Sequence, residues 1–260
     1  MISRMRYITS QVEHPIRIIA LGSSIADFRD VAEWIGATVD HTFNFQPNAR
    51  QQPIEIVIQG FDQNIRESRL HSMQKQLYQN IKLNNRSALV FVNDRRQAKL
   101  TALDLVTLVG GDANPKRLMK IPEEQLKMLL KRITEKYLIY SLEYGIGFLY
   151  EGMAEKDREI VEELFKIDGI GVVVATYQLR WQLNCKSFMV AVLDPCRYDG
   201  SEHRWVDYPV PDMLQMMSLA STSEKDRKKS KEHLAARFLV YCQSAKKDFY
   251  KKFLSEPYPL

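Results

Sequence analysis

Acyl or peptide chemistry needs a serine or cysteine fixed beside a base, and this sequence holds those residue types without fixing any of them. Neither a G-x-S-x-G turn nor an H-E-x-x-H helix face occurs in its 260 residues. Phosphate chemistry is equally bare, because G-x-x-x-x-G-K-S/T is absent. Gly22, Ser23 and Ser24 stand between a strand-like and a helix-like segment, where their amides could face an anion, but three small residues there also make a plain turn. Gly110 and Gly111 read as a helix stop. The 3 cysteines, Cys185, Cys196 and Cys242, are far apart and odd in number, which indicates inert buried thiols in a reducing compartment. None of the 5 histidines stands at ligand spacing from a cysteine pair, so no metal site is expected.

The remaining chemistry is charge. There are 37 basic and 32 acidic side chains, a net charge of +5 that permits nucleic-acid contact without demanding it. Lys225, Arg227, Lys228, Lys229 and Lys231 crowd one stretch; Lys246, Lys247, Lys251 and Lys252 crowd another. Spacing alone reads these as a solvated loop and a solvated helix face.

Such residues must be positioned by elements that the apolar pattern reveals. Residues 17–21 (RIIAL), 54–59 (IEIVIQ), 88–92 (ALVFV), 171–175 (GVVVA), 188–193 (FMVAVL) and 238–242 (FLVYC) read as strands buried on both faces, with 145–150 (GIGFLY) a weaker one. Helical spacing covers residues 27–36, 66–82, 95–109, 123–144, 155–165 and 211–220, with Asp94 as N-cap of the third. The Asp-Gly pair in residues 198–208 (YDGSEHRWVDY) predicts a hairpin. Met213, Met216 and Met217 at helical spacing read as core rather than contact. Strand alternating with helix predicts an α/β fold on a parallel sheet.

Two stretches break the alternation. Residues 42–53 (TFNFQPNARQQP) read as a linker behind a leading fragment too small to be a domain alone, which implies further sequence upstream. Residues 221–232 (STSEKDRKKSKE) are wholly polar and read as an exposed, mobile loop. With 45% hydrophobic residues the chain can bury a substantial core, and it has no apolar run near the ~20 residues of a membrane span. The opening MISRMRYITSQVEHP lacks the apolar centre of a secretory signal.

Specific segments carry the reading further. Residues 145–158 (GIGFLYEGMAEKDR), followed by IVEELF, resemble the G-I-G-x-H-H-A-G-L-x-x-x-D-R segment of superfamily 2 RNA helicases of large dual-cassette architecture. Residues 172–184 (VVVATYQLRWQLN) resemble their motif V, and residues 212–223 (DMLQMMSLASTS) their motif VI, D-x-L-Q-M-x-G-R-A-G-R-P. Residues 17–27 (RIIALGSSIAD) are similar to motif III and 89–96 (LVFVNDRR) to the V-F-V-x-S-R segment. With the YDG hairpin and the closing KKDFYKKFLSEPYPL, the resemblance covers nearly the whole chain and extends to the C-terminal cassette of the spliceosomal members. It implies a RecA-like parallel sheet flanked by helices. The implied division is 1–40 as the end of the first RecA-like domain, 41–53 as linker, 54–254 as the second RecA-like domain, and 255–260 as the start of a connection.

The departures from the family pattern bear on activity. Motif VI arginines reach the ATP phosphates in active relatives; their positions here hold Leu219 and Thr222, with Ser218 and Ser221 for glycines and Gln215 retained. Motif V keeps Trp181 and Asn184 but has Gln182 for glycine, and the paired histidines are Leu149 and Tyr150. Since arginine fingers contribute ~10³ to 10⁵ in rate, their loss implies no catalytic residue in this chain. The resemblance then implies an inactive cassette, nuclear, that supports the active N-terminal cassette and docks other spliceosomal proteins. ATP with Mg would be held, if at all, only by the full cassette, and none is expected on this chain alone. Family RNA contacts map onto Arg95, Arg96 and Thr176, which read equally as a solvated helix start and a strand-end hydroxyl. The loop 225–231 could touch RNA or an acidic protein surface, or be a disordered insertion. Two alternatives stand beside this reading. One is half of a working helicase with substitute arginines such as Arg180 or Arg227; the other is a related dual-cassette helicase outside splicing.

Overall fold

The computed structural model describes residues 1–12, 16–46, 49–50, 52–222 and 234–257, so the basic stretch 225–231 lies outside the described residues. Two compact units divide the chain: Met1–Gln51 with Lys251–Leu260, and Gln52–Tyr250.

In the smaller unit, helices α1 (Ile2–Thr9) and α2 (Phe28–Ile35) meet where Arg6 Nη1 donates to the carbonyl of Trp34 at 2.7 Å. A cation there satisfies an end-of-helix carbonyl and the negative end of the helix dipole. Residues 17–21 form no strand, contrary to the sequence pattern, and Leu21 is 95% exposed. A strand is stable only when a neighbour takes its backbone hydrogen bonds, and this segment has none among the described residues. In the Gly22-Ser23-Ser24 segment the Ser24 hydroxyl donates to Asn44 Oδ1 at 3.1 Å.

The larger unit is built on a six-stranded sheet of β1 (Ile54–Phe61), β2 (Ala88–Val92), β3 (Ile146–Leu149), β4 (Val172–Thr176), β5 (Met189–Leu193) and β8 (Ala236–Gln243). Its order is β1-β8-β5-β2-β4-β3 and every pairing is parallel. Parallel strands need crossovers, supplied by α3 (Arg66–Asn84), α4 (Arg95–Gly110), α5 (Glu123–Leu130), α6 (Lys136–Leu142) and α7 (Glu155–Lys166). After β5 the chain makes a hairpin, β6 (Cys196–Asp199) with β7 (Arg204–Asp207), then α8 (Val210–Ser218); α9 (Lys247–Ser255) follows β8. These are the RecA-like elements expected.

Strands β2 to β5 are buried at every residue, the core of the fold, while β1 is only half-buried. Its run predicts burial on both faces, whereas this edge strand, carrying Glu55 and Gln59, is covered less completely than β3 at the opposite edge. Met213, Met216 and Met217 lie in the core. Asp94 caps α4, accepting the Gln97 amide at 2.8 Å. No helix of the described residues is long and apolar enough to cross a membrane.

Residues 123–144 read as one helix but form two, α5 and α6. The break is imposed from outside. Asp157, in the first turn of α7 and 1% exposed, accepts from the Thr134 amide (3.0 Å), the Thr134 hydroxyl (2.8 Å) and the Glu135 amide (3.1 Å). Its carboxylate serves the amide donors that open α6, and continuing the helix through them would leave a buried charge unsatisfied.

Candidate functional site

Because the strands are parallel, their carboxyl ends share one edge, where open α/β sheets bind ligands. At this edge stand Asp62 after β1, Asn93 after β2, Tyr150 after β3, Asp194 after β5 and Thr176 at the end of β4. They fall into two groups.

The first group surrounds β2 and β4. Val92 pairs with Thr176 in register, and the buried Asn93 follows directly. Asn93 Oδ1 and Thr176 Oγ1 are both buried without a hydrogen-bond partner, as are Gln178 Oε1 and Arg180 Nε nearby in sequence. Buried polar atoms are nearly always paired, so this edge retains unused hydrogen-bonding capacity. Arg95 and Arg96, beside it at the start of α4, are exposed. The register of Val92 with Thr176 relates Thr176 to the strand that leads into α4, and Thr176 itself is buried.

The motif V and motif VI segments also meet. Arg180 Nη2 bonds Asp212 Oδ1 at 2.8 Å, and the Tyr177 and Tyr208 rings stack at 4.5 Å. The Ser187 amide donates to Leu219 O at 3.0 Å and the Ser221 amide to Ser187 O at 2.8 Å, fastening the end of the motif VI segment beside β5. Of the candidate nucleotide positions, Gln182 and Asn184 are exposed, with Gln182 Oε1 accepting from Arg158 Nη1 at 2.9 Å. Gln215 is half-buried and Ser218 exposed, its hydroxyl donating to Gln215 O at 2.6 Å. Leu219 and Thr222 are 7% and 3% exposed, their side chains inside the fold.

These residues do not fit the phosphates of ATP. Positions 219 and 222 offer an alkyl chain and a buried hydroxyl, neither able to replace the planar guanidinium fork that binds a phosphate bidentately. Arg180, one suggested substitute, is committed to Asp212. No chemical step through a nucleotide can be derived on this chain.

The second group, around β5, β8 and β1, was not foreseen. Asp194 follows β5 in the left-handed backbone region, φ 49°, and is buried. It takes Arg66 Nε at 3.0 Å and Arg69 Nη2 at 3.4 Å, both from α3, and the Cys196 thiol at 3.5 Å. The group walls a cavity of about 220 Å³. Arg66 and Asp194 are 128 residues apart in the chain. The signal available in sequence was the lone acid ending an otherwise apolar run, VLDP.

All three cysteines are free, and no cluster of histidine, cysteine or acid among the described residues could hold a metal. Burial, with the Asp194 charge second, pushes the Cys196 thiol up to about 12 and the Cys242 thiol up to about 11. A thiol that stays neutral when folded yet ionises near 9 when unfolded makes stability fall as pH rises from about 9 through 11. We expect a declining denaturation midpoint across that window. Iodoacetamide at pH 8 should label these thiols only after unfolding.

No protein-family model matches the chain. It is 41% identical over 260 residues to the U5 small nuclear ribonucleoprotein 200 kDa helicase of Homo sapiens, covering 99% of this chain and 12% of that protein. To the DExH-box ATP-dependent RNA helicase DExH14 of Arabidopsis thaliana it is 39% identical over 261 residues, 100% of this chain and 12% of the relative. To the Activating signal cointegrator 1 complex subunit 3 of Gallus gallus it is 36% identical, again over 100% of this chain and 12% of the relative. The chain thus spans about one eighth of the length of these relatives, and along its whole length it is similar to a segment of these helicases.

Proposed function

We propose that the chain is the second RecA-like domain, preceded by the end of the first, of the C-terminal cassette of a U5 snRNP-type 200 kDa helicase. The cassette does not drive unwinding; it is a regulatory and protein-docking platform in pre-mRNA splicing, in the nucleus. Its partners are the active N-terminal cassette of the same polypeptide and other spliceosomal proteins. The observation that carries this reading is the pair Leu219 and Thr222, buried where active relatives present arginines to phosphate. Similarity along nearly the whole chain to a segment of the 200 kDa helicases supports the splicing assignment.

The test is nucleotide binding and RNA-stimulated ATP turnover by the whole C-terminal cassette, wild type beside Leu219→Arg/Thr222→Arg. We expect background turnover in the wild type, since the absent arginines contribute ~10³ to 10⁵ in comparable sites. Wild-type turnover that RNA stimulates would sink the reading and point to other arginines. ATP bound without turnover would make the nucleotide structural, and absence of both would leave protein docking alone.

RNA contact is a second reading, favoured by the unpartnered Asn93 and Thr176 side chains beside the exposed Arg95 and Arg96. Phosphate backbones are held by such basic and hydroxyl groups.

A further inference from the structure

The cavity beside Asp194 lies outside the segments resembling motifs III, V and VI and stands apart from the question of turnover. Arg66 lines it as a preset fork. Its Nε is held by Asp194 Oδ2 at 3.0 Å and its guanidinium lies over the Trp205 ring, 4.1 Å from the centroid. Both Arg66 Nη groups are left without an acceptor among the described residues. Arg69, deeper and 4% exposed, donates Nη1 to Gln63 O at 2.8 Å but reaches Asp194 only at 3.4 and 3.5 Å, and its Nε has no partner. Lys246 is paired with Asp207 at 2.5 Å. Three cations, Arg66, Arg69 and Lys246, therefore face two carboxylates, Asp194 and Asp207, leaving one positive charge unmatched. The left-handed backbone at the buried, charged Asp194 is the kind of strain that persists where the surroundings over-determine it.

We propose that this cavity receives a single carboxylate carried on the side chain of an acidic peptide segment of a partner protein, with the two free Arg66 Nη groups as its bidentate donors. One unmatched positive charge suits one carboxylate. A phosphate dianion would bring a second negative charge against Asp194 and Asp207. Trp205, Pro195 and Cys196 give the cavity apolar wall for the methylenes behind the carboxylate, and its roughly 220 Å³ suits one side chain rather than a folded element. At the mouth the half-exposed Trp205 meets the exposed Tyr198 edge-to-face at 5.7 Å. That aromatic surface lies within reach of a peptide's flanking residues and beyond a small free acid. Stacking on Trp205 and the Asp194 bond hold the guanidinium plane in place, so little side-chain entropy is lost on binding.

The test is fluorescence polarisation of a fluorescein-labelled Glu-Gly repeat peptide on the full chain, with the Gln-Gly peptide as charge control. Inorganic phosphate and glutarate serve as competitors. Arg66→Ala and Arg66→Lys should each weaken binding about tenfold or more, the second because an ammonium keeps the charge and loses the fork. Lys75→Ala, which removes an exposed charge from the same helix, should change it less than about twofold. Far-UV circular dichroism confirms that each variant is folded, and Arg66→Lys keeps the test valid should Arg66→Ala not fold. Equal losses in Lys75→Ala and Arg66→Ala, or no binding by the wild type, would overturn the proposal. So would stronger competition by phosphate than by glutarate, or glutarate binding as tightly as the peptide.

Discussion

Replacing Gly145 by alanine is expected to cost roughly 3–5 kcal/mol in urea denaturation, a large share of the ~5–15 kcal/mol that typically holds a domain folded. Gly145 has φ +76°, and a Cβ there would lie 2.2 Å from the carbonyl carbon and 2.3 Å from the carbonyl oxygen of Leu118. The obstruction is backbone, which cannot swing aside as a side chain can. Moving it is costly because Gly145 joins three elements. Its amide closes α6 on Leu142 O at 2.9 Å, and its carbonyl takes the amides of Gly171 and Val172 that open β4. Leu118 is tied in too, through the bridge between Met119 and Ile170. Left-handed backbone adds ~1–2 kcal/mol for an alanine. Gly200, in the hairpin turn, is the control: nothing lies within 4 Å of its would-be Cβ and its φ is unremarkable, so alanine should be neutral or slightly stabilising there. Equal losses at the two positions would refute the steric account.

Asp194→Ala should cost about 3–5 kcal/mol, because it strands the Arg69 guanidinium inside the fold with no counter-charge. Arg69 would keep only the Gln63 carbonyl as a partner. Asp194→Asn should cost less, since asparagine keeps an acceptor and tolerates left-handed backbone. The decisive variant is the double one, Arg69→Met/Asp194→Ala. If an uncompensated buried charge causes the loss, removing the arginine as well should recover a substantial part of it, and a double-mutant cycle measures that coupling. Strict additivity would mean that Asp194 acts through its backbone geometry instead.

The sheet was legible because the inner strands β2, β4 and β5 are near-continuous apolar runs rich in β-branched residues. The N-cap at Asp94 was legible because capping is local: the carboxylate and the amide it accepts are three residues apart. What escaped was decided at a distance. Helical periodicity runs through residues 123–144 without interruption; the carboxylate that parts them belongs to Asp157, on another helix. Residues 17–21 have strand composition but no ladder partner, and pairing is not a property of the segment. The motif segments were legible by resemblance, but the pairing of Arg180 with Asp212 was not, since the two lie on different segments with no spacing between them to read. The cavity at Asp194 had no such guide. Arg66 and Arg69 share one helix, but Asp194 and Trp205 come from distant stretches, and beyond the lone acid of VLDP nothing in the sequence ties them together.

The strand order carries one consequence for the growing chain. Strand β1 pairs with β8 alone, the last strand of the sheet, with Ile54 opposite Ala236. Strands β2 to β5 pair among themselves and can assemble as they emerge from the ribosome, but β1 has no partner until its neighbour has been synthesised. At ~5–20 residues per second it waits about 10–40 s. An idle apolar strand is a target for other nascent chains, and β1 carries its own protection. Glu55 interrupts the run at its start, and once β8 arrives the same carboxylate receives Arg237 at 2.9 Å, so the charge that delays mispairing becomes part of the finished register.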